Sequence, residues 1–245
     1  MRKIFFLLLL AASLNSFSQG KTIYSVSYVK PKIGMTSAFE TAWKAHVAKF
    51  HNGDDKRFVF EVLSGDMAGY YAFVEGPMSF SDMDVEKTGQ AGHDMDYEKT
   101  VAPTLAEETG IDYYQYIDSL SINATVTADK SIVTFTHIKN GRMGEYRNEL
   151  ARAKAVVSKL NWPQNNYRYQ KMNAGTNPVM VSVYNLKDGF KQLEADYFKN
   201  VPNVRDAYIA MYGWDSWQKR LDLLADITVK TEVYMRKRRA DLSSK

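Results

Sequence analysis

A chain of 245 residues that is 45% hydrophobic and 24% charged has the composition of a globular protein with a sizeable core, which excludes intrinsic disorder. It has no cysteine, so disulfides, thiol nucleophiles, cysteine-ligated zinc and iron–sulfur clusters are excluded. The formal net charge is only +4, and Arg236, Lys237, Arg238 and Arg239 gather much of it in one run, which argues against a nucleic-acid-binding surface.

The first segment reads as a secretory signal. Arg2 and Lys3 give a positive start, Ile4 to Leu14 form an apolar run, and Ser16 and Ser18 supply small residues for cleavage before Gln19. The run is shorter than the roughly 20 residues a membrane span needs. Residues 1–18 are therefore expected to be removed, leaving a periplasmic or secreted protein of net charge +2, with no membrane insertion afterwards. No cysteine follows the apolar run, so lipoprotein processing is excluded.

A strand is expected around Val26, followed by a helix. Met35, Phe39, Ala42, Trp43, His46 and Phe50 fall on one helical face, with Thr36 or Ser37 as a cap. Arg57–Val62 and Tyr70–Glu75 read as short strands joined through Ser64, Gly65, Asp66 and Gly69. A second helix is expected from Tyr97 to Glu108, interrupted by Pro103, and a closing strand from Ile111 to Leu120.

From Phe135 the pattern begins again. FTHIKNGRMGEYRNELARA aligns with VSYVKPKIGMTSAFETAWKAH, with Gly141 over Gly34, Tyr146 over Phe39 and Leu150 over Trp43. The offset is far longer than the 20–50 residues of solenoid repeats, which points to duplication of a domain. Met143, Tyr146, Leu150, Ala153, Val157 and Leu160 make the matching helical stripe. Tyr167–Met172 and Val179–Tyr184 are strands around the turn residues Asn173, Gly175, Asn177 and Pro178. A helix from Val204 to Asp226 and a strand from Ile227 to Arg236 complete the copy.

Each half, 19–125 and 126–245, thus reads β-α-β-β-α-β, the ferredoxin-like order, an α+β unit with an antiparallel sheet and both helices on one face. Pairs such as Tyr70/Tyr71, Ala72/Phe73 and Tyr113/Tyr114 make strands apolar on both faces, and such strands expect cover on both sides. Two sheets packed face to face would supply it. The duplicated pattern resembles the dimeric α+β-barrel superfamily in a fused, single-chain form. Its members include antibiotic-biosynthesis and haem-degrading monooxygenases, chlorite dismutases and muconolactone isomerases. The resemblance implies a pseudo-dimeric barrel, with haem as a cofactor some members would bring.

The candidate site residues follow from alternation and helical spacing. His46 lies one turn beyond Trp43 and could face a pocket between helix and sheet. Tyr24, Val26 and Tyr28 share a face, as do Val133, Phe135 and His137, so Tyr28 and His137 are expected in one cavity, joined by Arg57, Glu61 and Tyr113. His51 reads as a helix C-terminal histidine complementing the dipole. His93, Asp94 and Asp96, with Asp82, Asp84 and Glu86, read as a surface acidic loop, and no metal site is expected. The basic run reads as charge protecting a sheet edge. Three functions remain open: binding of a small hydrophobic or planar ligand, an enzyme of monooxygenase-like or haem-dependent type, and a structural protein without a ligand site. Monomer and homodimer are both compatible with an internal duplication.

Overall fold

The computed structural model describes residues 20–52, 56–85, 91–163 and 165–245. The expected signal segment and Glu86 lie outside the described residues. The first half contains β1 (Ile23–Pro31), α1 (Thr36–Phe50), β2 (Arg57–Val62) and β3 (Tyr71–Met78). Two short helices follow, α2 (Phe80–Asp84) and α3 (His93–Asp96), then β4 (Leu105–Glu108) and β5 (Asp112–Tyr116). The second half contains β6 (Lys130–Ile138), α4 (Met143–Lys159), β7 (Tyr167–Lys171), β8 (Val179–Asn185), α5 (Val204–Tyr212), α6 (Ser216–Ile227) and β9 (Thr228–Arg238).

Eight of the strands close into one antiparallel barrel in the order β3-β2-β9-β6-β8-β7-β5-β1, with β1 returning to β3. The first half contributes the run β5-β1-β3-β2 and the second the run β9-β6-β8-β7. The halves are not two sheets merely stacked. Their edges hydrogen-bond to each other through β2–β9 and β5–β7, which removes free edges from the ring. β4 lies outside the ring, paired to β1 beyond the end of β5.

Several local expectations are corrected. The predicted helix from Tyr97 to Glu108 is a π-helical turn and a 3₁₀ turn ending at Thr104, because Pro103 removes a backbone donor, and Leu105 onward is strand β4. The long second-half helix is broken at Gly213, which takes a positive φ of 102°. Met35 occupies the N-cap of α1 without a side-chain bond, so neither Thr36 nor Ser37 caps it. The basic run does not guard an edge, since β9 is flanked by β2 and β6. Arg236 and Arg238 point into the barrel, while Arg239 turns outward to Glu40, Glu61 and Asp241.

Three apolar clusters result. One holds Phe39, Trp43 and Val47 of α1 against Val29, Val59 and Phe73 on the outer wall, closed by Leu242 of the C-terminal segment. The second holds Tyr146 and Leu150 of α4 against Ile138, Met180 and Ile227. The third fills part of the barrel with Tyr114, Val133, Val181 and Val183. Trp214 is exposed at the α5–α6 break, whereas Trp217 packs edge-on against Tyr208.

Candidate functional site

The barrel interior keeps a cavity of about 260 Å³. Alternation on β1 aims Tyr24, Val26 and Tyr28 into it, and alternation on β6 aims Val133 and Phe135. The register pairs Val133 with Tyr234 and Ser131 with Arg236, so the inward residues of β6 and β9 lie side by side. Phe58 and Phe60 of β2 and Tyr114 of β5 complete an aromatic wall. Two guanidinium side chains, Arg236 and Arg238, are turned into this wall. Arg236 donates from Nε to Ser131 Oγ at 2.8 Å and lies 4.1 Å over the Phe60 ring. Arg238 stands 5.5 Å from the Phe58 ring centre, and its Nε is buried without a hydrogen-bond partner. Among the described residues neither arginine has a carboxylate within ion-pair distance.

Burial dominates the electrostatics here. It lowers the pKa of Arg236 and pushes the Tyr28 hydroxyl up to about 12, with Tyr114 and Tyr169 also well above the usual tyrosine value. These phenols hold their protons more tightly in the folded barrel than in the unfolded chain. Their contribution to stability is complete below about pH 10 and is lost as the pH rises toward 12. An ultraviolet titration should therefore show a set of tyrosines that ionise only together with alkaline unfolding. A single ordinary titration of all tyrosines in the folded protein would contradict this.

The predicted site residues divide between two faces of the wall. Tyr28 lines the barrel, and His137 shares the inward parity of β6, its Nε2 bonded to Glu232 at 2.8 Å. Arg57, Glu61 and Tyr113 do not join them. Phe58, Phe60 and Tyr114 take the inward positions, so the alternating residues face outward. Arg57 pairs with Glu75 at 3.0 Å, Glu61 with Arg239 at 3.4 Å, and the Tyr113 N–H donates to Asn173.

Trp43, His46 and Arg57 line a second, outer pocket of about 320 Å³ between α1 and the barrel wall. Trp43 is stacked on Phe73 at 4.1 Å, and its indole N–H donates to the Leu242 carbonyl. His46 is buried, and its desolvation lowers the pKa more than the Asp96 hydrogen bond raises it. His51 and His93, assigned from sequence to a helix end and an acidic loop, come to the same pocket. His51 leaves the helix as its C-cap and stacks over Trp43 at 5.7 Å, and His93 starts α3 after Gly92 at φ 86°. Their separation by 42 residues in the chain hid this. A haem fits neither place. Among the described residues lining the barrel cavity there is no histidine, the inward-facing His137 being outside that lining and bonded to Glu232, and the His46 and His51 rings meet the His93 edge at 3.3 Å, leaving no porphyrin face over a single nitrogen.

No protein-family model matches the chain, and no curated protein sequence does either. Among solved structures, a monooxygenase-like protein from Lactobacillus acidophilus NCFM aligns over 91% of this chain and 95% of its own, with 9% identity and a TM-score of 0.51. An anthrone oxidase-like protein aligns over 90% and 92%, with 9% identity and a TM-score of 0.51. Both belong to the dimeric α+β-barrel superfamily, and at these identities the likeness is one of fold.

Proposed function

We propose that the barrel interior binds a compact, planar, largely apolar molecule carrying one anionic group. The observation that carries this is Arg236, a guanidinium inside an aromatic wall with no carboxylate within ion-pair distance among the described residues. A charge withdrawn from water without a counter-charge is costly, and a carboxylate offered bidentately to a guanidinium is among the stronger compensations available. The aromatic wall suits the flat body of such a ligand, and the cavity volume, just under the roughly 300–1,000 Å³ of common ligand pockets, limits its size. The same reading takes the barrel as two copies of one ferredoxin-like unit, supported by the recurring strand order in each half, and takes the protein as exported on the strength of residues 1–18.

Calorimetric titration with a small aromatic carboxylate and its neutral carboxamide tests the reading. The carboxylate is expected to bind about 10–100-fold more tightly, the usual value of a charge-assisted hydrogen bond. Arg236→Met should erase that difference. Equal binding of the two compounds, an unchanged preference in the variant, or no binding of any aromatic acid would remove the reading.

A further inference from the structure

The outer pocket brings together three histidines that no role in ligand binding by the barrel requires. His46 Nε2 lies 3.3 Å from His93 Nε2, and His93 Nε2 lies 3.3 Å from His51 Nε2. One ring nitrogen from each lies within 4.8 Å of the other two. The opposite nitrogens of two of these rings are committed. His46 Nδ1 faces Asp96 Oδ2 at 2.9 Å, and His93 Nδ1 faces Asp94 Oδ1 at 2.8 Å. An ionised carboxylate only accepts, so Nδ1 carries the proton in both neutral rings, and both Nε2 atoms present lone pairs. Two lone pairs 3.3 Å apart repel each other, and a cation between them turns that repulsion into attraction.

We propose that His46, His51 and His93 form a three-histidine site for a divalent late first-row transition metal, with zinc as the reference ion. Two of the three nitrogen spacings, His46–His93 and His93–His51, already agree with this assignment. Two imidazole nitrogens bound to a tetrahedral zinc at about 2.0–2.1 Å stand about 3.3 Å apart. The imidazole donor set suits zinc, copper, nickel and iron, and poorly suits magnesium or calcium. Asp96 and Asp94 supply the outer-shell carboxylates that fix the tautomer and aim of metal-bound histidines. Trp43 beneath His51 and Phe50 beside His46 and His93 hold the rings in place. Three protein ligands leave a fourth position, and the three histidines line the pocket from which a small oxygen or nitrogen donor would reach it. The second half has Ala153 where the first has His46 in the aligned helices, so the site is expected once per chain.

The full chain, stripped with chelator and gel-filtered, is titrated with Co²⁺ and separately with Zn²⁺. One equivalent should bind, with the visible ligand-field bands of a tetrahedral Co²⁺ that Zn²⁺ abolishes. X-ray absorption of the zinc-loaded protein should show three imidazoles at zinc. Asp96→Asn should weaken binding by about 10–100-fold, as loss of an outer-shell partner does, and His93→Ala by more. No retained metal, or fewer than three imidazoles in the loaded wild type, would overturn the site whatever the variants do. Undiminished Co²⁺ binding by His93→Ala would overturn it as well. Neither result depends on the barrel ligand, because the pocket lies on the opposite face of the wall.

Discussion

Glu149→Leu is expected to lower the stability of the protein by about 3–5 kcal/mol, the usual cost of removing one partner from a buried ion pair. Glu149 projects from α4 and is 2% exposed. Its two oxygens accept from the Tyr208 hydroxyl of α5 at 2.8 and 2.9 Å, and the Arg220 guanidinium of α6 lies 2.9 Å away. One carboxylate therefore joins the three helices that cover the second half of the barrel. Removing it leaves Arg220 largely buried beside Tyr208 with its charge uncompensated. For a chain of this size the loss corresponds to a fall in melting temperature on the order of 10 °C. Glu149→Gln keeps an acceptor for Tyr208 and should lose less. A Leu variant that melts with the wild type would mean that α5 and α6 are held by apolar packing alone.

Phe39→Ala is the corresponding change in the first half, with an expected loss of about 3–5 kcal/mol. Phe39 is fully buried, and its ring lies 4.9 Å from Tyr71 and 6.4 Å from Phe73. Phe73 in turn carries Trp43, so the void opens under the floor of the histidine pocket. Urea unfolding should show a lower midpoint with an unchanged slope. Phe39→Leu, which keeps most of the volume, should cost below about 1.5 kcal/mol.

The strands of the ring and the first helices of both halves were legible because their periodicities are strong, whereas β4 was read as the end of a helix. The stripe Phe39, Trp43, His46 and Phe50 is buried as spaced, and the matching face of α4 buries Tyr146 and Leu150. Closure into a ring was less legible, because strand pairing across the halves leaves no local mark. That is why Arg236 and Arg238 looked like edge charges: read along the chain they are a basic tail, and read across the sheet they are the inward residues of a central strand.

The site was half legible for a related reason. Parity along a strand fixes which residues share a face, and Tyr28, Val133 and Phe135 do share one. It does not say which face is the interior when both are apolar. On β2 the phenylalanines face inward, so Arg57 and Glu61 fall outside, and on β5 Tyr114 displaces Tyr113 in the same way. The histidine cluster depends on a helix end, a glycine-led turn and a buried helix face meeting in space. Only His46, on the periodic stripe, carried a signal that sequence could show.

The most direct test of ligand binding inside the barrel is the position of a bound aromatic carboxylate, by crystal structure or by intermolecular NMR contacts. The expected result is a ring between Phe60, Phe135 and Tyr28 with its carboxylate on Arg236. A ligand seated in the outer histidine pocket or on the surface, with Arg236 untouched, would contradict it.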